Sequence, residues 1–225
     1  MLVQSPTFRD SPINFDIHAR TTIRYEYSFI EAVALRIGNE VLEVASWGDY
    51  ALNGVDTPNL EEGGANTIAG YPIHHTEVNE KKHIFEVVLS PTESITISTF
   101  KDMVTIEMDG NQGHMLSSNS TGIMGTLDGK MLGRDGETDM SGNPNELGQE
   151  WQVRSDEPML FRVAREPQFP QQCILRSAKT VEARRLGQTM PLEKAEEACA
   201  QHSGVYFDNC VYDVMATGDV EAAEL

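Results

Sequence analysis

The sequence predicts a mainly β fold, an antiparallel β-sandwich or meander closed by a small C-terminal α-helical segment. Three observations predict it. Apolar residues alternate with polar ones through most of the first 160 positions. Turn-forming pairs punctuate these runs at short spacing. Past a proline-bearing stretch the pattern changes to Ala, Glu and Leu at helical spacing.

The elements follow in order. Ile13, Phe15 and Ile17 alternate with Asn14, Asp16 and His18, the period of a half-buried strand. Further strands are expected at Phe29–Ile37, Glu40–Ala45, Lys82–Leu89, Ser94–Phe100 and Val104–Met108. Asn53-Gly54 and Asp109-Gly110 supply the positive φ of tight turns, and Lys101-Asp102 joins its flanking strands as a hairpin. Asp56–Asn66 reads as a loop and Arg165–Gln172, with Pro167 and Pro170, as a linker. Helices are expected over Ile174–Leu186, over Leu192–His202 with Pro191 in its first turn, and over Asn209–Thr217 closed by Gly218. Trp47 and Trp151 read as core anchors.

Composition narrows the function. The chain has 225 residues, enough for a real core, and a formal net charge of −18. That excess argues against nucleic acid and an anionic membrane surface, both of which need clustered Lys and Arg, and suits cationic or basic partners; the competing reading is a solvated acidic surface. No apolar run approaches the ~18 residues of a membrane span, so no membrane insertion is expected. Met1–Asp10 is polar and unlike a signal peptide, which taken literally places the chain inside the cell.

Three cysteines, Cys173, Cys199 and Cys210, lie in the last quarter. Cys199 and Cys210 can pair between two helices, which leaves Cys173 over; the competing reading is two buried thiols in a reducing compartment. His74, His75 and His83 read as surface or loop histidines, since neighbours along a strand point to opposite faces. Asp49, Glu77 and Glu86 are not spaced as a catalytic pair, and no nucleophile motif of the GxSxG kind occurs. Arg184-Arg185 is a basic spot set against Glu193, Glu196 and Glu197. Asn119-Ser120-Thr121 fits the N-glycosylation pattern, relevant in a secreted chain.

The run from Gly122 to Trp151 is the most informative. Thr126, Asp128 and Lys130 alternate and Asp135 follows, within a glycine-rich frame that could wrap carboxylate and carbonyl oxygens around a hard cation such as Ca²⁺. The competing reading is a plain connection with solvated acids. Gly122-Ile-Met-Gly-Thr-Leu-Asp128-Gly, then Arg134-Asp135-Gly136, then Leu147-Gly-Gln-Glu-Trp151-Gln-Val153 resembles the C-terminal half of a von Willebrand factor type D domain. The resemblance spans residues 10–163 and includes the strands over Tyr27–Ile37, Val41–Val44, Tyr50–Val55 and Thr96–Met108.

The resemblance implies a closing strand at Trp151 and a calcium site. Its ligands would be Asp128 and Asp135, with Thr126 and the Lys130 carbonyl behind them. The sequence departs from the family at three positions. Met124 replaces a family cysteine, Thr126 replaces an asparagine, and Arg134 replaces the first asparagine of an Asn-Asp pair. The family's opening strands are missing before Ile13, and its Gly-Asp-Pro-His self-cleavage motif is absent.

The tail, 173–225, is a second unit. Glu197-Ala-Cys199, Phe207-Asp-Asn-Cys210 and Tyr212-Asp213-Val214 resemble a reduced form of the cysteine-rich module that often follows type D domains. Together the two resemblances imply a non-enzymatic, extracellular or cell-surface adhesion module. Its partners would be other proteins, matrix or cell-wall components, and calcium would brace a loop. The alternative is an intracellular, hydrolase-like enzyme on a β scaffold, which requires converging His and carboxylate groups in a pocket.

Overall fold

A computed structural model describes residues 1–24, 27–56, 66–165 and 190–224. Eleven strands are seen among these residues: β1 (Val3–Ser5), β2 (Phe15–Arg24), β3 (Tyr27–Ile37), β4 (Glu40–Ala45), β5 (Tyr50–Leu52), β6 (Val55–Asp56), β7 (Thr67–Ile68), β8 (Tyr71–Asn79), β9 (Lys82–Ser90), β10 (Glu93–Phe100) and β11 (Met103–Asp109). They form two antiparallel sheets. The first runs β1-β2-β3-β4-β5-β6 and the second β11-β10-β9-β8-β7.

The inward residues of both sheets form one core. Phe15, Ile17, Val33, Leu35, Leu42 and Val44 of the first sheet pack on Ile73, Phe85, Val87, Ile95, Ile97 and Val104 of the second. Fully burying each of these side chains contributes about 1.5–3 kcal/mol. This is the sandwich that the alternation predicts, and the register confirms the hairpins. Leu52 pairs with Val55 across Asn53-Gly54, whose φ values of 53° and 77° match a two-residue turn of the type the strand twist favours. Phe100 pairs with Met103 across Lys101-Asp102.

Some elements escape the sequence. β8 has only Ile73 as a buried apolar residue, so its Pro72, His74, His75 and Glu77 conceal the period. At Trp151 a helix replaces the expected closing strand. Helix α2 spans Pro144–Glu150, following a four-residue turn of helix, α1 (Gln112–Met115). The Asn143 side chain caps α2 by accepting from the Glu146 amide, and Pro144 takes a position where a missing N–H costs nothing. These local signals outweigh the family pattern. Trp47 is also corrected. It sits in a short 3₁₀ turn with φ of 62°, is 51% exposed, and donates its indole N–H to Asp102. The left-handed turn swings the ring out of the core.

The tail contributes α3 (Leu192–Ala198) and α4 (Val205–Thr217), the latter ended by Gly218 in the left-handed conformation. Both pack with Phe100 and Phe29 in a second apolar cluster. The expected helix over 174–186, the linker residues 166–172, the loop residues 57–65, Cys173 and Arg184-Arg185 lie outside the described residues.

Candidate functional site

The Gly122–Trp151 segment is a layer over the outer face of the first sheet. Its start is fixed by backbone contact: a Cβ at Gly122 would stand 2.1 Å from the Leu2 carbonyl oxygen, so only glycine fits beside the chain entering β1. Its end is fixed by Trp151, which is 2% exposed and donates its indole N–H to the Leu132 carbonyl at 3.0 Å.

Between them the aspartates serve local turns. Thr126, Asp128 and Lys130 do come together. The Thr126 hydroxyl donates to Asp128, the Lys130 amide donates to Thr126 Oγ1 at 3.0 Å, and the Lys130 ammonium stands 2.6 Å from Asp128 Oδ2. Lys130 first, then the Thr126 hydroxyl, holds the Asp128 carboxyl below its ordinary range. Asp135 belongs to a separate turn. Its two oxygens accept from the Thr138 hydroxyl, the Thr138 amide at 2.9 Å and the Glu137 amide at 3.0 Å, and these bonds pull its pKa down to about 2.

No group of three or more His, Cys, Asp and Glu residues that could hold a metal is found among the described residues. This arrangement does not fit a resident calcium ion, because an ammonium already occupies the Asp128 carboxylate and amide and hydroxyl donors already engage Asp135.

Arg134, which the resemblance marks only as a departure from an asparagine, is the hub of the layer. Its Nε donates to the Glu150 carbonyl at 2.7 Å and Nη2 to the Gln152 carbonyl at 3.0 Å. It forms an ion pair with Glu157 and lies 5.1 Å from the Trp151 ring centroid. The signal in the sequence is an arginine within a Gly/Asp run, followed by Glu150 and Glu157.

The layer continues as a strap over residues 159–165. The Arg162 amide donates to Glu43 at 2.9 Å and its guanidinium pairs with Asp56. Arg165 pairs with Glu31, and Arg20 stacks on Phe161 at 4.2 Å and donates to the Val163 carbonyl at 2.7 Å. Beneath this layer the first sheet's outward residues are buried: Asp16, His18, Ala32, Ala34, Glu43 and Ala51. The alanines leave room for the covering chain. Arg36 donates to Asp16 at 2.6 Å. Burial pushes the Asp16 carboxyl up against the pull of Arg36, and burial lowers His18 to about 4. A shallow groove of about 400 Å³ opens where the strap passes the β4–β5 turn, lined by Asn39, Val41, Asn53, Leu160 and Arg162.

The histidines divide. His74 faces outward from β8. His75 and His83 are half-buried in strands and stack, with His75 Nε2 3.2 Å from His83 Nδ1 and the His75 ring 4.4 Å from Phe85. The surface-or-loop reading is therefore corrected for His75 and His83. Alternation puts His75 and His83 on the same side of adjacent strands, where Phe85 and Tyr50 pack on the His75 ring. Burial, then the neighbouring His83, lowers the His75 pKa.

In the tail a disulfide joins Cys199 to Cys210 and staples α3 to α4. Tyr212 pins α4 to β3, its hydroxyl accepting from the Ser28 amide at 3.0 Å and donating to the Ser28 carbonyl at 3.2 Å. Asp219 lies 2.7 Å from Lys101 and 3.1 Å from Lys81. Although burial acts the other way, these cations and the Glu221 amide bring Asp219 down to about 2. Burial alone raises Asp213 to about 6. Asn119 is exposed on the turn after α1.

The second sheet's outer face is different. Its cross-strand rows read Val88-Ser94-Asp109, His74-Glu86-Thr96-Glu107 and Thr76-Ile84-Ser98-Thr105. None of these side chains hydrogen-bonds or forms an ion pair with another described residue, and the rows hold three carboxylates and no Lys or Arg. At the Phe100 end of the sheet this face meets the helical tail.

No curated protein matches the chain. A family model does match its last third, and it takes in the strap and the stapled helices: residues 153–225 match the model of the Repulsive guidance molecule (RGM) C-terminal domain.

Proposed function

We propose that this chain is a non-enzymatic protein-interaction module that works outside the cell or on its surface. One observation carries the reading: the stretch that matches the RGM C-terminal domain is folded as a disulfide-stapled helical pair docked onto a β-sandwich. Stable disulfides belong to oxidising compartments. The type D resemblance over 10–163 and the division at the 173–225 tail fit the same reading. The partner is another protein, matrix and cell-wall components included. The second sheet's open face, with Glu86, Glu107 and Asp109 unpaired among the described residues, suits a surface bearing Lys or Arg.

The deciding experiment is thiol alkylation of the native chain combined with antibody staining of unpermeabilised cells. Surface staining with Cys199 and Cys210 protected from alkylation is expected. A chain found in the cytosol with both thiols alkylated overturns the proposal. The Gly122–Trp151 loop, in this reading, closes on Lys130 and Arg134 in place of a metal. Millimolar calcium is therefore expected to leave Tm unchanged, and a calcium-dependent rise that Asp128→Ala abolishes would restore the metal site.

A further inference from the structure

We propose that Asn119 carries an N-linked glycan, and that the glycan is attached before the contact between β1 and Thr121 forms. Asn119 opens the only Asn-x-Ser/Thr triplet in the sequence, and its side chain is exposed on a turn held by the Ser120 amide donating to the Ser117 carbonyl at 3.0 Å. The other two positions of the triplet point the other way. The Ser120 hydroxyl is buried and donates to Ser5 Oγ at 2.8 Å. Thr121 exchanges backbone hydrogen bonds with Gln4, its amide donating at 2.9 Å and its carbonyl accepting at 2.7 Å.

The Thr121 hydroxyl is the decisive group. Its oxygen is buried and has no hydrogen-bond partner among the described residues. A buried, unsatisfied hydroxyl weakens a fold, and valine would fill the same space without one, so its presence calls for an explanation. The described residues offer none. The unfolded chain does, because the transferase that modifies Asn-x-Thr requires the hydroxyl two residues past the asparagine and reads it from an extended, accessible backbone. Once Thr121 is bridged to Gln4, neither its hydroxyl nor its backbone can be read.

The chemistry is a group transfer. Asn119 Nδ2 forms a bond to the anomeric carbon of a lipid diphosphate-linked oligosaccharide, and the bond from that carbon to the diphosphate oxygen breaks. The lipid diphosphate leaves, and Nδ2 gives one proton to a base of the transferase.

The inference relies on the extracellular reading only for whether the chain meets the transferase in its own cell. The test therefore supplies the route. The full chain is secreted behind a signal peptide and digested with peptide-N-glycosidase. A one-glycan mass loss is expected for the parent and for Thr121→Ser, and none for Asn119→Gln or Thr121→Val. The Thr121→Val chain is expected to melt at or above the parent's temperature, which separates loss of the acceptor from loss of the fold. An unglycosylated secreted parent overturns the site, and so does a Thr121→Val chain that melts well below it. For the order of events, the folded, unglycosylated chain is given the transferase and its lipid-linked donor. No transfer is expected, and efficient transfer overturns the claim that modification comes first.

Discussion

The two sheets share one core, but their outer faces were built by opposite rules. The first sheet's outer face is sealed: Asp16, His18 and Glu43 lie under the layer of residues 122–165, on strands whose other face holds Phe15, Ile17, Leu42 and Val44. The second sheet's outer face is open, and its Ser, Thr and Glu rows meet solvent beyond the reach of the helical tail. Both read as apolar-polar alternation, because polar outward positions look alike whether water or chain covers them. The difference lies in what the polar residues do. On the sealed face each acid has an arginine, Arg36 for Asp16 and Arg162 for Glu43. On the open face the acids have none among the described residues.

The sharpest way to break this comparison is to remove an arginine from the sealed side. The Asp16 side chain is 2% exposed and Arg36 is its ionic partner. Arg36→Ala leaves a buried carboxylate uncompensated and is expected to cost about 3–5 kcal/mol in chemical denaturation. Replacing both residues by apolar ones of similar volume is expected to cost less than the single change, because the charge to be solvated is then gone. Additive losses would show that the face is wetter than its burial implies.

His18 sharpens the same point through pH. Burial lowers its folded-state value from 6.5 to about 4. Between those values the unfolded chain binds the proton and the folded chain does not. Stability is therefore unaffected by this group above about pH 6.5 and falls as pH drops toward 4, by about 3 kcal/mol in all. Asp16 acts in the opposite sense, since its raised pKa makes protonation favour the folded state. The comparison that isolates His18 is the difference in unfolding free energy between the parent and His18→Leu across this range. That difference is expected to change with pH below 6.5, and a constant difference would place His18 in contact with water.

These two cases show how far the sequence can be read. The strands with regular alternation, β2 to β4 and β9 to β11, were legible, as were the Asn53-Gly54 and Lys101-Asp102 turns and the helices at Leu192 and Asn209, because each depends on local period or local φ. β8 was not, since packing against neighbours holds it in place despite a polar sequence. The covering layer was not legible either. Nothing local to Ala32, Ala34 or Ala51 says that a chain segment lies over them, and nothing local to Arg134 says that its partners are Glu150, Gln152 and Glu157. The Gly122 motif was visible, but nothing local to it says that its first glycine is required by close contact with the Leu2 carbonyl.

The helical tail offers an intermediate case, since it covers only one end of the second sheet. The Cys199–Cys210 disulfide closes a short loop within the tail. Reducing it is expected to cost about 2–3 kcal/mol by the loop-entropy relation. The loss should fall on the tail first, so hydrogen exchange is expected to accelerate in α3 and α4 before it does in β2 or β10. Simultaneous acceleration in all four would mean that the tail and the sandwich unfold as one unit.

The open face should give the smallest effect. Thr96 stands between Glu86 and Glu107 in the central row, half-exposed and with no hydrogen-bond partner among the described residues. Replacing it with Ala loses some strand propensity and no internal bond, and stability is expected to move by no more than about 0.5 kcal/mol. Glu86→Lys should be equally quiet or slightly stabilising, since it places a cation in the same row as Glu107, with Thr96 between them, where two carboxylates stood before. That quietness is itself the test of function. Because the face contributes so little to folding, a loss of partner binding in Glu86→Lys with an unchanged Tm can only be a loss of contact. The same substitution on the sealed side, at Glu43, would confound binding with unfolding, because it would set a lysine against Arg162 beneath the strap. If Glu86→Lys instead lowers stability by more than about 1 kcal/mol, the face is covered in the native protein and the contrast between the two sheets fails.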